Sequence, residues 1–365
     1  MSARGAALNS LTGLRWWAAF GVFFFHMTVF APVPIFPLFE FGNYGVMFFF
    51  VLSGFVLSWS WKRELPVRAF YLRRIGRIWP ATIVALIIAI PVFYSFTPDP
   101  AQWWVKPVDL GILLLSVPVI QGWWLAPVIL FSGNPAAWTL TCEFFFYALH
   151  PVAQRLFSWW NAKIVLIALG LMFAAIVAIK ASCFVSAGQG CIPLPLPIER
   201  LPEFLLGMGI GVLARQGKML KLPTWIPLAA LGLLFVFLAF GAQLGIAPGV
   251  MALSNLFANE ATLLLMVVTI ACVAQRDIAG KRSAFNSKWL IKLGELSFTF
   301  YLVHATVMYL FVAFIGQFDV SWTNLLWYPL VLAAGLLVAF ALHTWIETPF
   351  EAKFRRLSDK IGAQS

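Results

Sequence analysis

Charge is what this sequence has least of. Asp, Glu, Lys and Arg make up 11% of its 365 residues, where a soluble globular chain carries about 25%. Hydrophobic residues reach 62%, mean hydropathy is +0.89, and long apolar runs recur along the chain. A soluble globular domain is excluded. Cysteine is scarce, four residues in all, with no CxxC and no His/Cys cluster, so nothing points to a metal site. Cys142 and Cys272 lie in apolar segments, as small buried residues do. Cys183 and Cys191 flank a Gly/Ser/Pro-containing loop and would pair if that loop faced an oxidising compartment. Acidic residues number 14 against 25 basic ones, a net charge of +11. In a soluble protein that excess would suggest nucleic acid. Here it follows the rule that basic residues collect in cytoplasmic loops, so no nucleic acid partner is expected.

What is present fits a polytopic membrane protein, all-α, within one integral membrane domain over 1–365. No repeat or separate soluble domain is visible. The start, Met1 to Ser10, is too short for the n-region of a cleaved signal, and no small-residue cleavage pattern follows, so the first helix reads as a signal anchor. About ten spanning helices are predicted, at 12–31, 43–61, 79–96, 138–157, 163–181, 201–214, 224–243, 256–274, 293–316 and 325–346, each near bilayer length except the short 201–214. Many of the 17 tryptophans sit near segment ends, as interfacial anchors do. With the N-terminus inside, all the Lys and Arg residues fall on the cytoplasmic side except Lys106, Lys180 and Arg200. That asymmetry supports this register, with both termini cytoplasmic. The stretch 109–131 is apolar enough to span, but a span there would invert every later basic loop. Broken by Pro118, Gly122 and Pro127, it is expected as a re-entrant or interfacial element on the outer side.

Polar residues inside apolar segments carry the functional signal, because a bilayer makes them costly. Arg15 and His26 share the first segment. Eleven residues at 3.6 per turn is about 1100°, so both face one way, about 16 Å apart along the axis. His26 and Glu143 each lie about five residues from the outer end of their helix. At a shared depth they would form a base and its orienter, or an interhelical hydrogen bond worth about 1 kcal/mol. The run Phe70 to Pro80 holds Arg73, Arg74 and Arg77 within one turn. It is either a positive-inside anchor or a phosphate clamp that Arg15 would join. Ser53-Gly54 lacks the GxSxG elbow and reads as close helix packing. His304, mid-helix, is balanced between function and an interhelical bond. His150 and His343 look structural, and Glu203 is open between acceptor-site and structural roles.

Six segments, in order, resemble the acyltransferase 3 family of integral membrane acyltransferases. They are Leu11–Arg15 with His26 (R-x10-H), Gly45–Phe55, Phe70–Pro80, Trp138–Tyr147, Leu293–His304 and Glu347–Phe350. The resemblance implies transfer of an acyl group, usually acetyl from acetyl-CoA, to a hydroxyl of a cell-envelope glycan or similar acceptor. It implies His26 as the catalytic residue, with Arg15 in the same signature, and Arg73, Arg74 and Arg77 in acyl-donor binding. Two departures matter. Met47 stands where Asp is frequent, and Phe144 replaces the second Glu of the WSLxxEE motif, leaving Glu143 as the main local carboxylate. The expectation is an O-acyltransferase of the inner membrane, with acyl-CoA phosphates on the cytoplasmic arginines and His26, oriented by Glu143, as the base. Exported or lipid-linked polysaccharide is the favoured acceptor, with a macrolide-like natural product also open. The rivals are a transporter or flippase for a lipid-linked sugar or small molecule, and a scaffolding protein.

Overall fold

The computed structural model describes residues 7–186 and 191–363. Eleven helices of 15 residues or more make up most of it: α1 (Asn9–Phe30), α2 (Gly45–Trp59), α3 (Val67–Phe93), α4 (Trp138–Ser158), α5 (Ala162–Val185), α6 (Leu201–Arg215), α7 (Trp225–Phe240), α8 (Ala258–Ile278), α9 (Lys288–Ile315), α10 (Trp327–Leu342) and α11 (Thr348–Ala363). Each of the ten expected segments coincides with a helix. Six helices among the described residues are long and apolar enough to cross a membrane. The only strands among them are Tyr94–Ser95 and Lys106–Pro107, paired in parallel. This is a multi-pass, helical membrane protein.

Local chemistry explains several boundaries. The side chain of Asn161 caps the Ile164 amide at the start of α5, and that of Ser287 caps the Leu290 amide at the start of α9. The largest difference from expectation is α3, which begins at Val67 rather than near residue 79. Pro80, which suits a first helical turn, lies inside this 27-residue helix instead, as does Pro91. The arginine run is therefore helical and carries its charges on a defined face.

Glycine sets the closest approaches. A Cβ on Gly54 would clash with the Phe204 carbonyl oxygen, and one on Gly207 with that of Val51. Thus α2 and α6 pack backbone to backbone, as membrane helices with small residues do, and the packing reading of Ser53-Gly54 holds for Gly54. Helix α1 lies along α9, with Trp16 and Phe23 both against Phe300 at 5.4 and 5.9 Å between rings. In contrast, α5 buries only Val165, as a lipid-facing span would.

The stretch 109–131 forms no spanning helix. It breaks into Leu110–Leu115, Gln121–Trp123 and Pro127–Leu130. The Lys106 ammonium donates to the Phe131 carbonyl at 2.6 Å, and the Ser116 and Ser132 hydroxyls meet at 2.9 Å. Burial lowers the Lys106 pKa to about 8. The chain then plunges into the core. Buried Asn134 donates to the Leu302 carbonyl of α9 at 2.7 Å and accepts from the Ala136 amide at 3.0 Å. Helix α4 consequently starts below this cap, inside the protein. Cys183, at the end of α5, is disulfide-bonded to Cys191.

Candidate active site

Two cavities lie back to back inside the helical bundle. The first is lined by Arg15 of α1, Ser53 of α2, Arg74 and Arg77 of α3, and Glu143 and Tyr147 of α4. Its charge is lopsided, with three guanidinium groups to one lining carboxylate. Glu143 accepts a hydrogen bond from the Tyr147 hydroxyl at 2.8 Å, one turn further along α4. None of the three arginines has an ion-pair partner within 4 Å among the described residues. Glu347 acts on Arg15 and Arg77 from further away, and Glu351 on Arg77. Among the described residues the buried Arg74 Nε has no hydrogen-bond partner. A buried guanidinium left unsatisfied is expensive, so this cavity is built to receive something anionic.

Arg73 is turned elsewhere. Its Nε donates to the Ser358 hydroxyl at 2.8 Å and its guanidinium pairs with Asp359 at 2.6 Å. It clamps α11 onto α3, beside the point where Gly76 lies under Phe354. Successive residues on a helix differ by about 100°, which is enough to send Arg73 to α11 while Arg74 faces the cavity. Of the four arginines expected to hold the donor, Arg15, Arg74 and Arg77 line this cavity and Arg73 does not.

The second cavity is lined by Val22 and His26 of α1, Asn43 and Tyr44 before α2, Trp138 of α4, Arg200 before α6, Asn259 of α8 and Tyr301 of α9. Its one arginine is ion-paired. Arg200 is held by Glu203 at 2.9 Å and Glu199 at 3.9 Å, and the Tyr44 hydroxyl donates to Asn259 at 2.7 Å. His26 Nδ1 lies 2.9 Å from the Val22 carbonyl and 3.2 Å from His304 Nε2. Met47, at the position where the family resemblance expects Asp, is a buried part of this lining. Val46 and Tyr301 line both cavities and form the wall between them.

Arg15 and His26 do share a face of α1, and each opens into its own cavity. The expected His26–Glu143 pair does not form. Glu143 lies in the arginine cavity, and the ring beside His26 is His304. The depth count assumed that α4 begins at the membrane surface, whereas the Asn134 anchor starts it deeper. His304, balanced between two readings in the sequence, is brought to the site. Tyr147 was missed, although its spacing four residues after Glu143 was the available signal. Arg200 and Asn259 carried no local signal, since distant segments deliver them. Glu203 serves Arg200. His343 pairs with Glu347 at 2.7 Å within the π-helical turn between α10 and α11, as a structural residue would.

A family model for an acyltransferase domain matches residues 8–344. The chain belongs to the acyltransferase 3 family. It is similar to acyltransferase MdmB of Streptomyces mycarofaciens, 29% identical across 96% of this chain and 93% of that protein. It is also similar to peptidoglycan O-acetyltransferase OatA of Listeria monocytogenes serovar 1/2a, 28% identical over 45% of this chain and 28% of that protein. A putative acetyltransferase of Acidianus two-tailed virus, ORF330, is 25% identical over 80% of each chain. No solved structure matches. The protein is thus an acyltransferase, and the transporter and scaffold readings fall away.

Proposed function

We propose that this enzyme moves an acetyl group from acetyl-CoA, bound at the arginine cavity, to a hydroxyl of a glycan acceptor in the histidine cavity. The observation that carries the proposal is the division of labour between the cavities: unpaired guanidinium groups in one, an imidazole among neutralised polar groups in the other. Arginine's planar fork suits the phosphates of a CoA donor, and Arg15, Arg74 and Arg77 fill that role. The long thin arm of CoA then follows α1 for about 16 Å and delivers its thioester past Val46 and Tyr301 to His26. Glu143, hydrogen-bonded to Tyr147, acts on the donor side by setting the charge around the arginines.

At His26 the acceptor oxygen attacks the thioester carbonyl while the imidazole takes the hydroxyl proton. The carbon–sulfur bond breaks, and the imidazolium returns the proton to the departing sulfur, which leaves as free CoA. Holding both reactants in facing cavities supplies the proximity that a two-substrate transfer needs. The aromatic and amide lining of the histidine cavity, and a relative named for O-acetylation of peptidoglycan, favour a polysaccharide or lipid-linked glycan acceptor. The charge asymmetry of the sequence supports a reading with ten spans and with both termini and the arginine cavity on the cytoplasmic side of the inner membrane. Mass spectrometry of envelope glycans tests the reading. Cells carrying the wild-type protein should show O-acetyl groups that are lost on deletion and not restored by His26→Ala. An identical glycan profile in all three strains would overturn it.

A further inference from the structure

The contact between His26 and His304 holds more information than a distance. His304 Nδ1 lies 3.1 Å from the Phe300 carbonyl oxygen and 2.9 Å from that of Tyr301. Carbonyl oxygens only accept, so His304 Nδ1 must carry hydrogen. In a neutral imidazole the other nitrogen is then an acceptor, and His304 Nε2 presents its lone pair to His26 Nδ1 at 3.2 Å. His26 Nδ1 also lies 2.9 Å from the Val22 carbonyl. Both of its neighbours are acceptors, so His26 Nδ1 is the protonated nitrogen. That leaves His26 Nε2 with a free lone pair. No hydrogen bond from any described residue reaches this nitrogen, and His26 lines the cavity assigned to the acceptor.

We infer that His304 is a positioning residue that fixes His26 in the tautomer whose Nε2 is the base. It does by a neutral lone pair what a carboxylate does in the familiar carboxylate–histidine arrangement. The inference rests on the base role proposed for His26. The proton path balances. The acceptor hydroxyl gives its proton to His26 Nε2, and the resulting imidazolium keeps its Nδ1–H directed at His304 Nε2 and the Val22 carbonyl. The same proton then leaves Nε2 for the CoA sulfur. His304 stays neutral throughout, held by two backbone carbonyls of its own helix. It is buried, at 1% exposure, and its ring lies 4.9 Å from that of His26 at a steep angle. The geometry explains why a second histidine, rather than Glu143, lies beside the first.

Two substitutions separate this role from a plain helix-to-helix contact. The amide oxygen of Gln reaches the position of an imidazole Nε2, whereas the amide of Asn reaches only that of Nδ1. In purified enzyme turning over acetyl-CoA, His304→Asn should lower kcat on the order of 100-fold, with the KM for donor unchanged. His304→Gln should restore most of that loss. Equal loss in both variants, or wild-type kcat in both, would overturn the inference. A second measurement needs neither folded variants nor turnover. Nitrogen NMR of histidine-labelled wild-type protein in lipid nanodiscs should show His26 protonated at Nδ1 and bare at Nε2. The opposite tautomer sinks the inference and leaves the acyltransferase assignment standing. The expected tautomer in a protein that transfers no acetyl would instead count against the proposed function.

Discussion

The two cavities differ in how their charges are balanced. In the arginine cavity three guanidinium groups face one lining carboxylate, and none of the three has an ion-pair partner within 4 Å among the described residues. In the histidine cavity the single arginine, Arg200, is already held by Glu203 and Glu199. Desolvated charge that the protein leaves unpaired is charge available to a ligand. On the proposed reading the first cavity takes the anionic donor, and the second takes a neutral hydroxyl-bearing acceptor. Their common wall, Val46 and Tyr301, is where the two reactants must meet.

The largest effect should separate the cavities outright. His26→Ala removes the base from one and touches nothing in the other. Acetyl transfer should fall about 1000-fold or more, with acetyl-CoA affinity within about twofold of wild type, read by calorimetry and by release of free CoA. Next in size, Arg74→Ala or Arg77→Ala removes charge-assisted hydrogen bonds to the donor, each worth about 1.5–3 kcal/mol. That is a loss of about 10- to 100-fold in acetyl-CoA affinity. A smaller effect sharpens the assignment of Glu143. As a donor-side group it should lose less than about tenfold in kcat on changing to Gln, whereas an orienter of His26 would approach the loss of His26→Ala. Smallest of all, Arg73→Ala should leave acetyl-CoA affinity within about threefold, because its guanidinium already engages Asp359. Its effect should appear instead as faster hydrogen exchange in α11.

Much of this arrangement was legible in the sequence. The helical period placed Arg15 and His26 on one face, because periodicity within one helix survives folding. The family motifs named the chemistry, and the charge count held 109–131 back from being a span. The sequence failed where one element fixes the depth of another. Glu143 was paired with His26 because both lie five residues from a helix end, but the buried Asn134 anchor lowers the start of α4. Arg73 was grouped with its neighbours, and only the fold brings Asp359 and Ser358 from the far end of the chain to claim it. The third span was expected from residue 79, but α3 begins at Val67 and holds Pro80 in its interior. His304 stayed balanced between two readings until α9 was laid along α1.

The division between donor and acceptor cavities is tested most directly by measuring acetyl-CoA binding and acetyl transfer side by side on His26→Ala and Arg77→Ala. The expected result is a crossed pattern: His26→Ala binds donor like the wild type and does not transfer, while Arg77→Ala binds donor weakly and regains part of its transfer at high donor concentration. Transfer at the wild-type rate by His26→Ala, or donor binding by Arg77→Ala at wild-type affinity, would contradict it.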